Sequence, residues 1–130
     1  MVLSSGHADA AHSRFVTRVR RRYGAELPLL PAGVPGVDTI TALVATLQRG
    51  GRDLASALRV ARQLVLERLA VLDVEQGASL DTVTHAMTHL AEATLELALA
   101  QAQAEADERH GAPLREDGSR VQLWIVGMGK

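Results

Sequence analysis

His85, His89 and Glu92 fall at i, i+4 and i+7. On a helix that spacing puts two imidazoles and a carboxylate on one face, as a zinc site would need. Ala86 follows His85, so the His-Glu-x-x-His pattern is absent, and no other ligand cluster stands nearby. The expectation is a solvated polar stripe, with no metal ligand in the chain. Glu92 and Glu96 read the same way, as carboxylates one turn apart that face water rather than a general acid/base pair. No Gly-x-Ser-x-Gly occurs, and the serines, histidines and aspartates form no readable nucleophile arrangement. No catalytic residue is expected in these 130 positions.

Arginine is the second chemistry. Arg14, Arg18, Arg20, Arg21 and Arg22 crowd one short stretch, and Arg59, Arg62 and Arg68 follow on another. Guanidinium groups in such numbers suit phosphate or carboxylate partners. The first run lacks an aromatic platform for bases, so no nucleic acid is expected. A charged outer face that docks an acidic domain is the better reading. For Arg59, Arg62 and Arg68 two readings stay open: side chains facing a cleft, or surface arginines with their stems laid along the helix.

The third feature closes the chain. Val121-Gln122-Leu123-Trp124-Ile125-Val126 is short, β-branched and apolar on both faces, a pattern suited to a central strand covered on both sides. Gly127-Met128-Gly129-Lys130 follows. Glycines directly after a buried strand let backbone N–H groups approach an anion. Gly127, Gly129 and Lys130 are therefore the candidate phosphate or nucleotide turn. The G-x-x-x-x-G-K-[ST] pattern is not met, because Trp124 stands where its first glycine belongs.

The elements that carry these residues are helical. Phe15, Val19 and Tyr23 share a face of a first helix, about Ala10 to Tyr23, stopped by Gly24. Glu26 to Gly36 holds three prolines and reads as an irregular connection. Asp38 is the expected N-cap of a second helix to Arg49, striped by Ile40, Leu43, Val44 and Leu47. Asp53 caps a third, Leu54 to Val74, lined by Leu54, Leu58, Ala61, Leu64, Val65, Leu69 and Leu72, with Arg59, Arg62, Glu67 and Arg68 away from the stripe. Ser79 caps a long fourth helix, Leu80 to His110, with Val83, Met87, Leu90, Thr94 and Leu97 as its stripe. Past Ala98 its apolar face holds only alanines, Ala100, Ala102, Ala104 and Ala106, which predicts thin packing.

Composition agrees. Hydrophobic residues make up 47%, with one Phe, one Trp and one Tyr, a mix that favours helices over sheets. Net charge is −1, so no global field draws the chain to nucleic acid or a membrane. There is no cysteine, which excludes disulfides and thiolate metal sites. No apolar run approaches the ~20 residues of a membrane span, and the start lacks a signal-peptide pattern. A cytoplasmic protein is expected. The fold class is mainly α, a loose bundle of about four helices with one C-terminal strand that would open an α/β domain.

Those closing residues also carry a resemblance. Trp124 to Lys130 resembles the opening of the first nucleotidyltransferase domain in bifunctional glutamine synthetase adenylyltransferases, where Gly-Met-Gly-Lys leads to Leu-Gly-Gly and an Asp-x-Asp segment. Arg59-Val60-Ala61-Arg62-Gln63 through Arg68 to Asp73 is similar to that family's arginine-rich helix. Thr84 to Glu92 resembles the start of its long connecting helix. Arg109-His110-Gly111-Ala112-Pro113 resembles the turn before its first strand. Ser13 to Val16, with Glu26 to Pro31, resembles its N-terminus.

The resemblance implies an enzyme that moves AMP from ATP onto a tyrosine of glutamine synthetase and removes it by phosphorolysis, giving ADP, in nitrogen regulation. It implies Mg²⁺ and ATP, ADP or phosphate as cofactors of the full-length enzymes, none of them expected to bind tightly to this piece alone, and glutamine synthetase and a PII-type signalling protein as partners. The organisation it implies is an N-terminal helix and Pro-rich connection over 1–36, a helical region over 37–111, and the first strand and turn of a nucleotidyltransferase domain over 112–130. The Asp-x-Asp segment is absent from this sequence, so the piece alone is expected to be inactive. The alternative is a free-standing helical module that binds a partner protein.

Overall fold

The computed structural model describes residues 8–128. Four α-helices carry it: α1 (Arg14–Arg22), α2 (Val37–Arg49), α3 (Leu54–Val74) and α4 (Leu80–His110). Short 3₁₀ turns occupy Ala10–His12 and Leu27–Leu29. The expected mainly helical class is what the chain adopts. Two compact units divide it, Met1–Thr94 and Leu95–Lys130.

In the first unit α3 is the central helix, packed against both α1 and α2. Leu64 and Val65 are wholly buried, and Ile40, Leu43 and Val44 of α2 are 1–2% exposed. Each such side chain contributes on the order of 1.5–3 kcal/mol relative to an exposed one. Val16 and Val19 bring α1 into the same core. Alanine and leucine supply most of α3's buried face, which lets the helices approach without aromatic bulk.

The caps differ from expectation at two places. Ser13 accepts a hydrogen bond from Val16 N–H, so α1 starts at Arg14 rather than Ala10. Ala10–His12 forms its own 3₁₀ turn, capped by Asp9. At α2 the N-cap is Gly36, without a side-chain bond, and Asp38 sits inside the first turn. There its charge still complements the helix N-terminus. Asp53 caps α3 as expected, its Oδ1 accepting from Ser56 N–H at 2.7 Å. Ser79 caps α4, its Oγ accepting from Thr82 N–H at 3.1 Å.

Three stripes also need correction: on α1, Val16 is buried beside Val19, while Phe15 and Tyr23 are only half-buried. On α4 the buried residues are Ala86, Leu90 and Ala93, while Met87 is exposed. Two alanines flank Leu90 on the inner face, and Met87 lies to its side. On α3, Ala57, Val60 and Glu67 are buried in addition to the expected positions, and Leu58 is half-buried.

In the second unit α4 runs to His110 and Gly111 ends it at φ +79°, a left-handed stop that favours glycine. Residues 112–120 then turn back on themselves. Arg115 N–H reaches Ser119 O at 2.7 Å, Leu114 and Arg120 form an antiparallel bridge, and Val121 N–H reaches Pro113 O. Arg120 Nη1 meets Asp107 Oδ2 of α4 at 2.6 Å, and that hydrogen bond raises the arginine's pKa. Val121–Met128 joins no ladder among the described residues. Its apolar side chains stand in water, Trp124 at 78% and Val126 at 77% exposure. The strand expected here would pair with a sheet that the described residues do not contain.

Candidate functional site: an arginine-lined cleft

The arginines that the sequence places on two separate stretches are brought together by the packing of α1 on α3. Ser13 sets the phase of α1, so that Val16 and Val19 point inward and Arg14, Arg18, Arg21 and Arg22 outward. Asp53 sets the phase of α3. Arg59 and Arg62, three positions apart, then project from one exposed face. Between these helices lies an open cleft of ≈ 390 Å³, bordered by Arg22, Tyr23, Arg52, Ser56, Arg59 and Arg62. No acidic residue lines it among the described residues. Two further recesses continue along α1, sharing Arg22 and then Arg18, and the second reaches Arg14 and Arg21.

Within this surface some guanidinium groups are committed. Arg52 donates from Nη1 to Ser56 Oγ at 2.9 Å and from Nη2 to Glu26 Oε1 at 3.2 Å. Arg22 lies over the Tyr23 ring at 5.4 Å, and Arg18 over Phe15 at 5.9 Å. Arg59 and Arg62 make no hydrogen bond or ion pair among the described residues.

Two arginines leave the cleft for structural work. Arg20 donates from Nε to Glu67 Oε1 at 2.9 Å, which explains how a carboxylate on α3 comes to be buried. Arg68 reaches the carbonyls of Leu30, Pro31 and Gly33 in the Pro-rich connection. Of the three α3 arginines, Arg59 and Arg62 therefore face a cleft and Arg68 does not. Arg52 and Ser56 carry no mark in the sequence, and Tyr23 reads there only as part of the apolar face of the first helix. Arg52 precedes a helix cap and carries no periodic signal, so only the turn back from α2 places it.

The other candidates separate. His85 Nδ1 lies 2.9 Å from Asp81 O and 3.4 Å from Asp81 Oδ2, an i, i+4 contact turned away from His89. No three His, Cys, Asp or Glu side chains gather to hold a metal among the described residues. Gly127 is exposed with open space around its α-carbon, and Gly129 and Lys130 lie outside the described residues. No described helix is long and apolar enough to cross a membrane.

A family model for glutamate-ammonia ligase adenylyltransferase matches residues 10–130. The chain belongs to that family. Among its relatives is a bifunctional glutamine synthetase adenylyltransferase/adenylyl-removing enzyme of Chromobacterium violaceum. It is 45% identical over 78 residues, covering 59% of this chain and 9% of the relative. The enzyme of the same name from Ralstonia nicotianae is 42% identical over 78 residues, 59% of this chain and 8% of its own length. That of Caulobacter vibrioides is 34% identical over 128 residues, covering 92% of this chain and 13% of the relative. The chain thus spans roughly a tenth of the length of these adenylyltransferases. No solved structure matches it.

Proposed function

We propose that this chain forms the N-terminal helical region of an enzyme that adenylylates glutamine synthetase and removes the adenylyl group again. The family match across residues 10–130 carries the reading. Glutamine synthetase enters through the names of the relatives, whose action is on that enzyme. The transfer chemistry, AMP from ATP to a tyrosine and its phosphorolytic return as ADP, follows from the family resemblance, as do Mg²⁺, a PII-type signalling partner, a role in nitrogen regulation and a cytoplasmic setting.

Nucleotidyl transfer needs carboxylates that hold Mg²⁺ against phosphates. The described residues bring no such set together, and the sequence holds no Asp-x-Asp. No step of transfer is therefore assigned to the described helices. Their part is to carry Val121–Val126 and the turn at Gly127, Gly129 and Lys130 to a nucleotidyltransferase domain, where these glycines would lie near phosphate. By itself the 130-residue chain catalyses neither reaction.

The test is an assay of adenylylated glutamine synthetase with the chain, phosphate and Mg²⁺, read as AMP or ADP released. No release is expected from the chain alone. Adding the nucleotidyltransferase segment that follows in the family, as a separate polypeptide or in one chain, is expected to restore phosphate-dependent release. Release by the chain alone would overturn the reading.

A helical interaction module is the second reading, favoured by the large apolar exposure of Leu123 to Val126. It predicts a stable complex with a partner protein and no gain of transfer activity from the added segment.

A further inference from the structure

We propose that the cleft bordered by Arg22, Tyr23, Arg52, Ser56, Arg59 and Arg62 binds the phosphate groups of a small molecule, a di- or triphosphate being the fitting size. The proposal stands on the cleft alone and is independent of the transferase reading above.

Four guanidinium groups border one recess, and none of its lining residues is acidic. Like charges held around a concave surface repel, and the same arrangement concentrates counter-ions within it. Arg52 is partly balanced by Glu26, yet Arg59 and Arg62 have no anionic partner among the described residues. An anion seated between them would remove that repulsion. Arginine, unlike lysine, presents a planar fork of donors that meets two oxygens of a phosphate at once. Every cation at the cleft among the described residues is an arginine. Ser56 and Tyr23 add hydroxyls at its border.

Size and shape decide the ligand class. A recess of ≈ 390 Å³ lies within the range of about 300–1,000 Å³ typical of small-molecule sites. Sequence-tolerant binding of a nucleic acid strand asks for open aromatic faces on which bases stack. The Phe15 and Tyr23 rings are half-buried, and each has an arginine over one face, Arg18 and Arg22. The elements that shape the cleft are also well supported. Asp53 caps α3 beneath it, and the Arg52–Ser56 and Arg52–Glu26 bonds tie its rim to the turn after α1.

The experiment titrates the 130-residue chain with inorganic pyrophosphate and with metal-free ATP. Binding is followed by calorimetry and by amide shifts, at low salt and at about 0.15 M salt. Saturable one-to-one binding is expected, with shifts centred on Tyr23, Ser56, Arg59 and Arg62. Arg59→Gln and Arg62→Gln are each expected to weaken it about tenfold, the scale of one charge-assisted bond pair. Arg59→Lys keeps the charge and loses the fork, so it is expected to fall between. Arg49→Gln, outside the cleft, is expected to leave binding unchanged, and circular dichroism checks that each variant keeps its helices.

Three results would overturn the proposal. The first is no saturable binding of pyrophosphate or ATP. The second is an equal loss from Arg49→Gln, which would mean diffuse charge attraction. The third is a polyglutamate peptide or single-stranded oligonucleotide that binds while pyrophosphate does not compete, which would assign the surface to a macromolecule.

Discussion

Arg20 and Glu67 stand 47 positions apart and meet at 2.9 Å, joining α1 to the middle of α3. The carboxylate side chain is 10% exposed and the arginine 37%. An acid that deep in a helix packing face is tolerated because a guanidinium from the neighbouring helix satisfies it. Arg20→Ala strands the carboxylate, and a loss of about 1–3 kcal/mol is expected, the lower end reflecting the half-open arginine. Arg20→Ala with Glu67→Leu is expected to recover much of that loss. Urea unfolding of these two variants and of Glu67→Leu alone measures it. Full additivity of the two changes would mean that the pair is not coupled.

Arg68 acts on backbone rather than on another side chain. The segment from Leu27 to Gly36 contains prolines at 28, 31 and 35, which cannot donate to nearby carbonyls. One guanidinium serves three of those carbonyls. Arg68→Ala is expected to cost about 1–3 kcal/mol and to speed amide exchange and proteolysis between Leu29 and Gly36 first. Arg68→Lys, with a compact ammonium in place of the fork, is expected to rescue only part. A variant as stable as the parent, with an unchanged exchange pattern in that segment, would refute the clamp.

Much of this architecture is legible in the sequence, and its gaps have physical causes. The stripe Ile40, Leu43, Val44 and Leu47 predicts the buried face of α2 because large aliphatic residues repeat at helical spacing. On α4 the same rule favours Met87 and misses Ala86 and Ala93, since a methyl group carries little hydrophobic signal yet permits the closest approach. Glu67 reads as solvent-facing because its partner lies on another helix. For the same reason Arg59 and Arg62 announce a charged face, while the cleft itself needs Arg22 and Arg52, which only tertiary packing brings to them.

The turn at 115–119 gives a pH prediction. Hydrogen bonds from the Ser119 hydroxyl, then from its backbone N–H, hold the Asp117 carboxyl below its ordinary pKa. A depressed folded pKa contributes stability above the unfolded value and loses it as pH falls through the folded one. The turn is therefore expected to loosen only at acid pH, below the usual carboxylate range. Ser119→Ala is expected to raise the Asp117 pKa toward ordinary. Carbon-detected NMR titration of Asp117 reads both, and an unchanged pKa in Ser119→Ala would reject the assignment of cause.

Trp124 is the only tryptophan of the chain and stands 78% exposed. Its emission is expected to be that of a water-exposed indole and open to acrylamide quenching in dilute solution. As concentration rises, association through Leu123 to Val126 is expected to shield it. Removing residues 121–130 is expected to abolish the association with little loss of helicity. A blue-shifted, protected tryptophan at the lowest concentrations would contradict this placement.

Gly77 sits at φ +62° between α3 and α4, with Ala78 N–H bonded to Leu72 O at 2.8 Å and Gln76 N–H to Val71 O. This bend sets the rotational phase with which the next helix begins. Each added residue turns a helix by roughly 100°. One insertion at 76–78 would swing Ala86, Leu90 and Ala93 off the inner side and bring polar neighbours in their stead. Drift in linker length is thus penalised here far more than drift in linker composition, with the left-handed glycine as the one identity the bend demands.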